Sequence, residues 1–193
     1  MTDISALYAT ALEGCGRRVQ GVGADDWHRP TPCADWDVRA LLAHLVDENR
    51  WAPPLLAGRT IADVGDELAG DPLGDDPRAA WESSAAGAGE AVARPGVLDV
   101  TAHLSFGDVP GSEYVMQLTA DLLVHGWDLA RATDGDERLD PAVLDSVATW
   151  FDTVEALYRD AGAIGPPVAL PDGASAQDRL LARFGRDPRK EET

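Results

Sequence analysis

Asp121 and His125 stand four residues apart, and in a helix turning roughly 100° per residue that spacing puts them one above the other on a single face. Val115, Leu118, Leu122 and Leu129 fall on the same side, so both polar groups are expected to face the interior. A carboxylate is costly to bury unless a cation or several donors compensate. His44, on the flank of a stripe formed by Val38, Leu41 and Leu45, offers a third arm from another helix. Two imidazoles and a carboxylate make a borderline N/O donor set that suits Zn²⁺, with Ni²⁺ or Fe²⁺ as the other options, and leave a coordination position for water or substrate. Glu48, one turn beyond His44, is placed to serve as an acceptor behind the ligands or as a general base. Asp128 is placed to bond across to the helix of His44 or to fix the orientation of a histidine. A plainer reading of the same residues stays open: Asp121 and His125 as a helix-surface pair, His44 as a core histidine with its bonds satisfied, and Glu48 as the partner of an arginine.

The elements that must hold these groups are legible as helices. Ile4, Leu7, Tyr8, Ala11, Leu12 and Val19 repeat at helical intervals up to the glycines at 21 and 23, which predicts a first helix over about 3–20. Pro30 and Pro32 mark a loop, after which Asp37 caps a second helix that Pro53 and Pro54 end or kink. The segment 58–77 reads as a connection with a short helical turn near Ile61 to Leu68, and 79–93 as an Ala-rich third helix. An extended passage from Val97 to Phe106, closed by Gly107, Pro110 and Gly111, crosses to the next helix, at about 113–133. A fifth helix opens at Asp140-Pro141 and runs to about Asp160, and a proline-rich tail ends in a short helix at 176–184. This pattern predicts an all-α fold, a helical bundle with four helices forming its core, over one domain spanning 1–193, with the core at about 1–162 and the tail at 163–193.

Composition narrows the partners. The formal net charge of -18 opposes contact with phosphate backbones and anionic lipid surfaces, so neither nucleic acid nor membrane is an expected partner. Cys15 and Cys33 are too few for a disulfide framework, and no leader or long apolar segment is evident, so a cytoplasmic location is expected. Cys33, Trp36, Trp51, Trp127 and Trp150 are read as packing residues, and His28 and His103 as solvated loop residues.

Four stretches carry a resemblance. Thr31–Leu45 (TPCADWDVRALLAHL) resembles the motif opening the second helix of the metal-binding, DinB-like domain of mycothiol-dependent maleylpyruvate isomerases. Phe106–Gly111 (FGDVPG) and Asp121–Ala130 (DLLVHGWDLA) are similar to the region carrying that family's remaining ligands, and Asp178–Pro188 (DRLLARFGRDP) to the closing signature of a mainly actinobacterial subfamily. The resemblance implies a four-helix bundle of the DinB/YfiT-like kind with His44, Asp121 and His125 as metal ligands. Asp121 stands where the isomerases have Glu, and a side chain one methylene shorter is expected to bind through water or to alter metal choice. The full isomerase carries an additional C-terminal domain that this sequence lacks, so maleylpyruvate itself is not the expected substrate. Related domains use a low-molecular-weight thiol such as mycothiol or bacillithiol, and often pair, so a thiol cosubstrate, a small-molecule electrophile and a homodimer are implied. The alternatives are a metal-assisted hydrolase using Glu48 or Asp128 as base, and a non-catalytic ligand-binding or dimerising bundle.

Overall fold

The computed structural model describes residues 3–189. Helices dominate: α1 (Ile4–Gly21), α2 (Val38–Leu55), α3 (Ile61–Val64), α4 (Pro77–Val92), α5 (Gly111–Ala132), α6 (Pro141–Asp160) and α7 (Ala176–Arg183), with one hairpin of β1 (Thr101–Leu104) and β2 (Gly107–Pro110). Four of the five long helices start where a side chain satisfies their free N–H groups, whereas α5 follows Pro110 with no side-chain cap. The Asp3 carboxylate accepts from the amides of Ser5 and Ala6, Asp37 from Ala40, Asp76 from Arg78 and Ala79, and Asp140 from Ala142 and Val143. Pro77 and Pro141 open α4 and α6 at positions where an N–H has no partner to lose.

Pro53 and Pro54 lie in the final turn of α2, which ends one residue later at Leu55; neither has an N–H to donate to the preceding turn. The short helical turn expected near Ile61 is present, set by a reciprocal bond pair between Thr60 and Asp63 and continued by a 3₁₀ turn over Gly65–Leu68.

The crossover differs from the expectation of one extended passage. It folds back on itself as an antiparallel hairpin, Thr101 opposite Pro110 and Leu104 opposite Gly107, with Ser105 and Phe106 at the tip. Gly107 therefore opens the return strand, and Pro110 sits just before α5, where its missing amide costs nothing. At Gly111 the chain passes so close to the preceding turn that a Cβ would lie 2.1 Å from the carbonyl oxygen of Val97. Only glycine fits.

Four helices close a ring: α1 packs on α5 and α4, and α2 on α4 and α5. Leu7, Tyr8, Cys15 and Val19 of α1, Leu41, Leu42 and Leu45 of α2, and Trp127 and Leu129 of α5 fill its interior. Helix α6 lies outside, covering α5 and α1, and the tail returns over α6, where Phe184 stacks on Phe151 at 4.0 Å. Among the described residues no helix is long and apolar enough to cross a membrane.

Candidate metal centre

The bundle brings α2 and α5 together so that His44 meets Asp121 across the interface. His44 Nε2 lies 3.1 Å from one Asp121 oxygen and His125 Nε2 lies 3.3 Å from the other. One ligand atom from each of these three side chains falls within 4.8 Å of the others. Ligands held at about 2.0–2.1 Å by a tetrahedral Zn²⁺ stand roughly 3.3 Å apart, so the donor set fits a divalent ion by type and by spacing. Asp121 spans the gap between the imidazoles directly, although it is the shorter acid. It is no surface pair with His125, a residue only 8% exposed.

Charge accumulates in this arrangement. Burial alone would push the Asp121 carboxyl up, but the charge and hydrogen bonds of the two imidazoles outweigh it and hold the group well below the usual carboxylate range. Burial would likewise lower His125, yet Asp121 and Asp128 together raise it to about 9. His44 is raised for the same reason, with Asp121 overcoming its desolvation. Two imidazoles that prefer to be positive around an ionised acid form a cluster whose protons a cation can replace.

Asp128 orients a histidine. It is fully buried, and its carboxylate accepts the Nδ1–H of His125 at 2.9 Å, which aims Nε2 at Asp121. Behind it stands a residue that the sequence reading missed. Arg186 donates to Asp128 from Nη2 at 2.9 Å and from Nε at 3.3 Å, and Nη2 lies 3.5 Å from the His125 ring. The tail delivers this arginine through a glycine-terminated helix end: Gly185, at φ 80°, turns the chain, its amide bonds the carbonyl of Ala182, and the Arg186 amide bonds that of Leu181. The run Phe184-Gly185-Arg186 held the local signal for this turn, but nothing in it pointed to residue 128.

Glu48 lines a cavity of about 380 Å³ that opens on His44 and Asp121. Burial first, and then the negative charge of Asp121, push its carboxyl up to about 7. Among the described residues no arginine forms an ion pair with it. Trp36 and Trp51 pack, partly buried, against the core, and both lie beside the site: Trp36 sits with its ring 4.7 Å from that of His44 and 5.5 Å from that of His125, and Trp51 lines the cavity. Trp127 is buried beneath the Arg131 guanidinium, and Trp150 donates to Glu113. Cys33 is half-buried and stays outside the ligand cluster. His28 is exposed beside Asp37, whereas His103 lies not in a loop but in β1, paired with Asp108 across the hairpin at 2.7 Å.

Comparison with known proteins agrees with this architecture. Two uncharacterized proteins of Mycobacterium tuberculosis, from strains CDC 1551 / Oshkosh and H37Rv, are each 33% identical over 190 residues, covering 94% of this chain and 90% of the relative. No solved structure gives a significant match. The family described as the mycothiol maleylpyruvate isomerase N-terminal domain matches residues 8–130, which include all three clustered side chains, and the chain belongs to that family.

Proposed function

We propose that this protein binds one divalent metal ion, Zn²⁺ first among the candidates, through His44, Asp121 and His125, and uses it to activate a low-molecular-weight thiol of the mycothiol type against a small electrophile. The observation that supports this best is the convergence of two imidazoles and one carboxylate, from two helices, beside a cavity large enough for a substrate. A divalent ion bound there supplies Lewis acidity, so that a thiol or water sharing the site loses its proton near neutral pH. The chain's own residues do the rest. Asp128 and Arg186 keep His125 in one tautomer and orientation. Trp36 covers the two imidazoles and limits the approach of bulk water. Glu48, on the cavity wall beside His44 and Asp121, takes the proton released by the nucleophile. The protein acts in the cytoplasm, and the tail belongs to the same domain as the bundle because it supplies Arg186.

The position of Glu48 on the cavity wall also favours a second reading, a metal-assisted hydrolase in which water replaces the thiol. Purification without chelator or nickel resin, followed by elemental analysis, separates these from a non-catalytic bundle. The expected result is close to one equivalent of metal, lost in His125→Ala, with turnover of an electrophile panel only when thiol is present. Turnover without thiol selects the hydrolase. Absence of bound metal at stoichiometric Zn²⁺ would falsify both.

A further inference from the structure

The cavity that opens on His44 and Asp121 has a polar part and an apolar part. At about 380 Å³ it lies within the range of small-molecule sites. His44, Glu48 and Asp121 give one stretch of its wall polar and charged groups. The apolar lining comes from Trp51 and Leu55 of α2, Ile61 of α3, Leu104 and Phe106 of the hairpin, and Leu118 of α5. Leu55 and Leu118 are buried, whereas Phe106 is 64% and Ile61 41% exposed, so these two stand at the mouth.

Among the described residues three large hydrophobic side chains are strongly exposed: Ile61, Phe106 and Leu157. A single exposed apolar side chain is ordinary and calls for no ligand, and Leu157, outside the cavity lining, is of that kind. Ile61 and Phe106 differ, because two elements remote in sequence bring them to one opening. Neither element belongs to the ring of four helices, so the bundle core gains nothing from their exposed faces. Both are nevertheless held in place. Phe106 sits at the tip of a hairpin whose strands pair over four residues each and which His103 and Asp108 tie at 2.7 Å. Ile61 opens α3 directly after the reciprocal bonds of Thr60 and Asp63 begin. Apolar surface fixed at the mouth of a cavity favours an apolar ligand in proportion to the area that the ligand takes from water.

We infer that the cavity seats a molecule with a polar head and an apolar body: the head at His44 and Asp121, and the body, an alkyl chain or aryl group, against Ile61 and Phe106, which set how large a body is accepted. That the head meets a metal ion rests on the function proposed above; the apolar seat does not. The test titrates the full chain by calorimetry, zinc-loaded and metal-free, with straight-chain hydroxamates from acetohydroxamate to octanohydroxamate. In both forms of the protein each added methylene is expected to tighten binding about two- to fourfold, until the chain outgrows the cavity. Phe106→Ser and Ile61→Ser are each expected to weaken octanohydroxamate by about fivefold and acetohydroxamate by under about twofold, at unchanged helicity and zinc content. Leu157→Ser, which removes the exposed leucine outside the cavity, is expected to leave the whole series as it was. Affinity independent of chain length, or a loss in Leu157→Ser equal to that in Phe106→Ser, overturns the inference. So does a Phe106→Ser variant that binds octanohydroxamate as before but sediments as a monomer where the unaltered protein is a dimer, since the ring then belongs to an interface between copies. The offset between zinc-loaded and metal-free protein reads the metal separately. Equal affinity of the two forms at every chain length removes the metal reading and leaves the apolar seat standing.

Discussion

Asp121 gives each of its oxygens to a different imidazole, and the balance of protons among the three groups sets how the metal-free protein responds to pH. His125 is raised from 6.5 to about 9 in the folded state. Its stabilising contribution is therefore complete below 6.5 and disappears as pH rises through 9. Glu48 works in the same direction, since a carboxyl raised from 4.5 to about 7 makes the fold progressively less stable as pH rises across that interval. Urea unfolding in the presence of chelator should show stability falling by about 2–3 kcal/mol between pH 6.5 and 9. With saturating Zn²⁺ the trend should reverse, because the ion displaces the proton that His125 otherwise keeps. A metal-free protein whose stability climbs over that range would show that the imidazoles are not coupled to Asp121 as described. Arg186 can be judged at the same scale. Arg186→Ala should lower zinc affinity by about 10- to 100-fold, as loss of groups orienting a ligand usually does, with partial recovery in Arg186→Lys. The same change leaves the buried Asp128 charge with one partner fewer, at a cost of about 3 kcal/mol. Competition against a fluorescent zinc chelator measures the first effect and denaturant unfolding the second.

Helix ends and turns decide whether these side chains meet. Helix α5 carries Asp121, His125 and Asp128, and its start is fixed by the contact of Gly111 with the Val97 carbonyl. Gly111→Ala should destabilise the protein by about 2–3 kcal/mol, since the added methyl has only backbone to push against. The loss would be visible as a lower urea midpoint at unchanged slope, and a wild-type midpoint would mean that α5 can shift along its axis at no cost. Helix positions were largely readable from the sequence, because the caps Asp37 and Asp140 and the 3- to 4-residue apolar steps act within a few residues of one another. The hairpin was not. Pairing of Thr101 with Pro110 depends on a reversal at Ser105 and Phe106 that carries none of the usual two-residue turn signals.

For the molecule as a whole, the excess of acids over bases is a standing repulsion held together by the ring of α1, α5, α2 and α4 and by the returning tail. Added salt screens that repulsion. Stability of the metal-free protein is expected to rise by about 1–2 kcal/mol between about 0.02 M and about 0.5 M NaCl. A decrease would mean that the ion pairs within the fold, such as Arg186 with Asp128, dominate over the surface excess.

Sequence alone determined the helices, the crossover's place between them, and the shared face of Asp121 and His125, because each depends on chemistry within one or two helical turns. Only the tertiary structure decided that His44 reaches Asp121, 77 positions away, and that Arg186 lies behind His125, 61 positions further along. Such contacts are set by how whole helices pack and by where the tail comes to rest, and packing geometry leaves no periodic trace in the chain. The covering ring of Trp36 and the cavity beside His44 belong to the same class: their residues come from loops and elements that meet only once the bundle has closed.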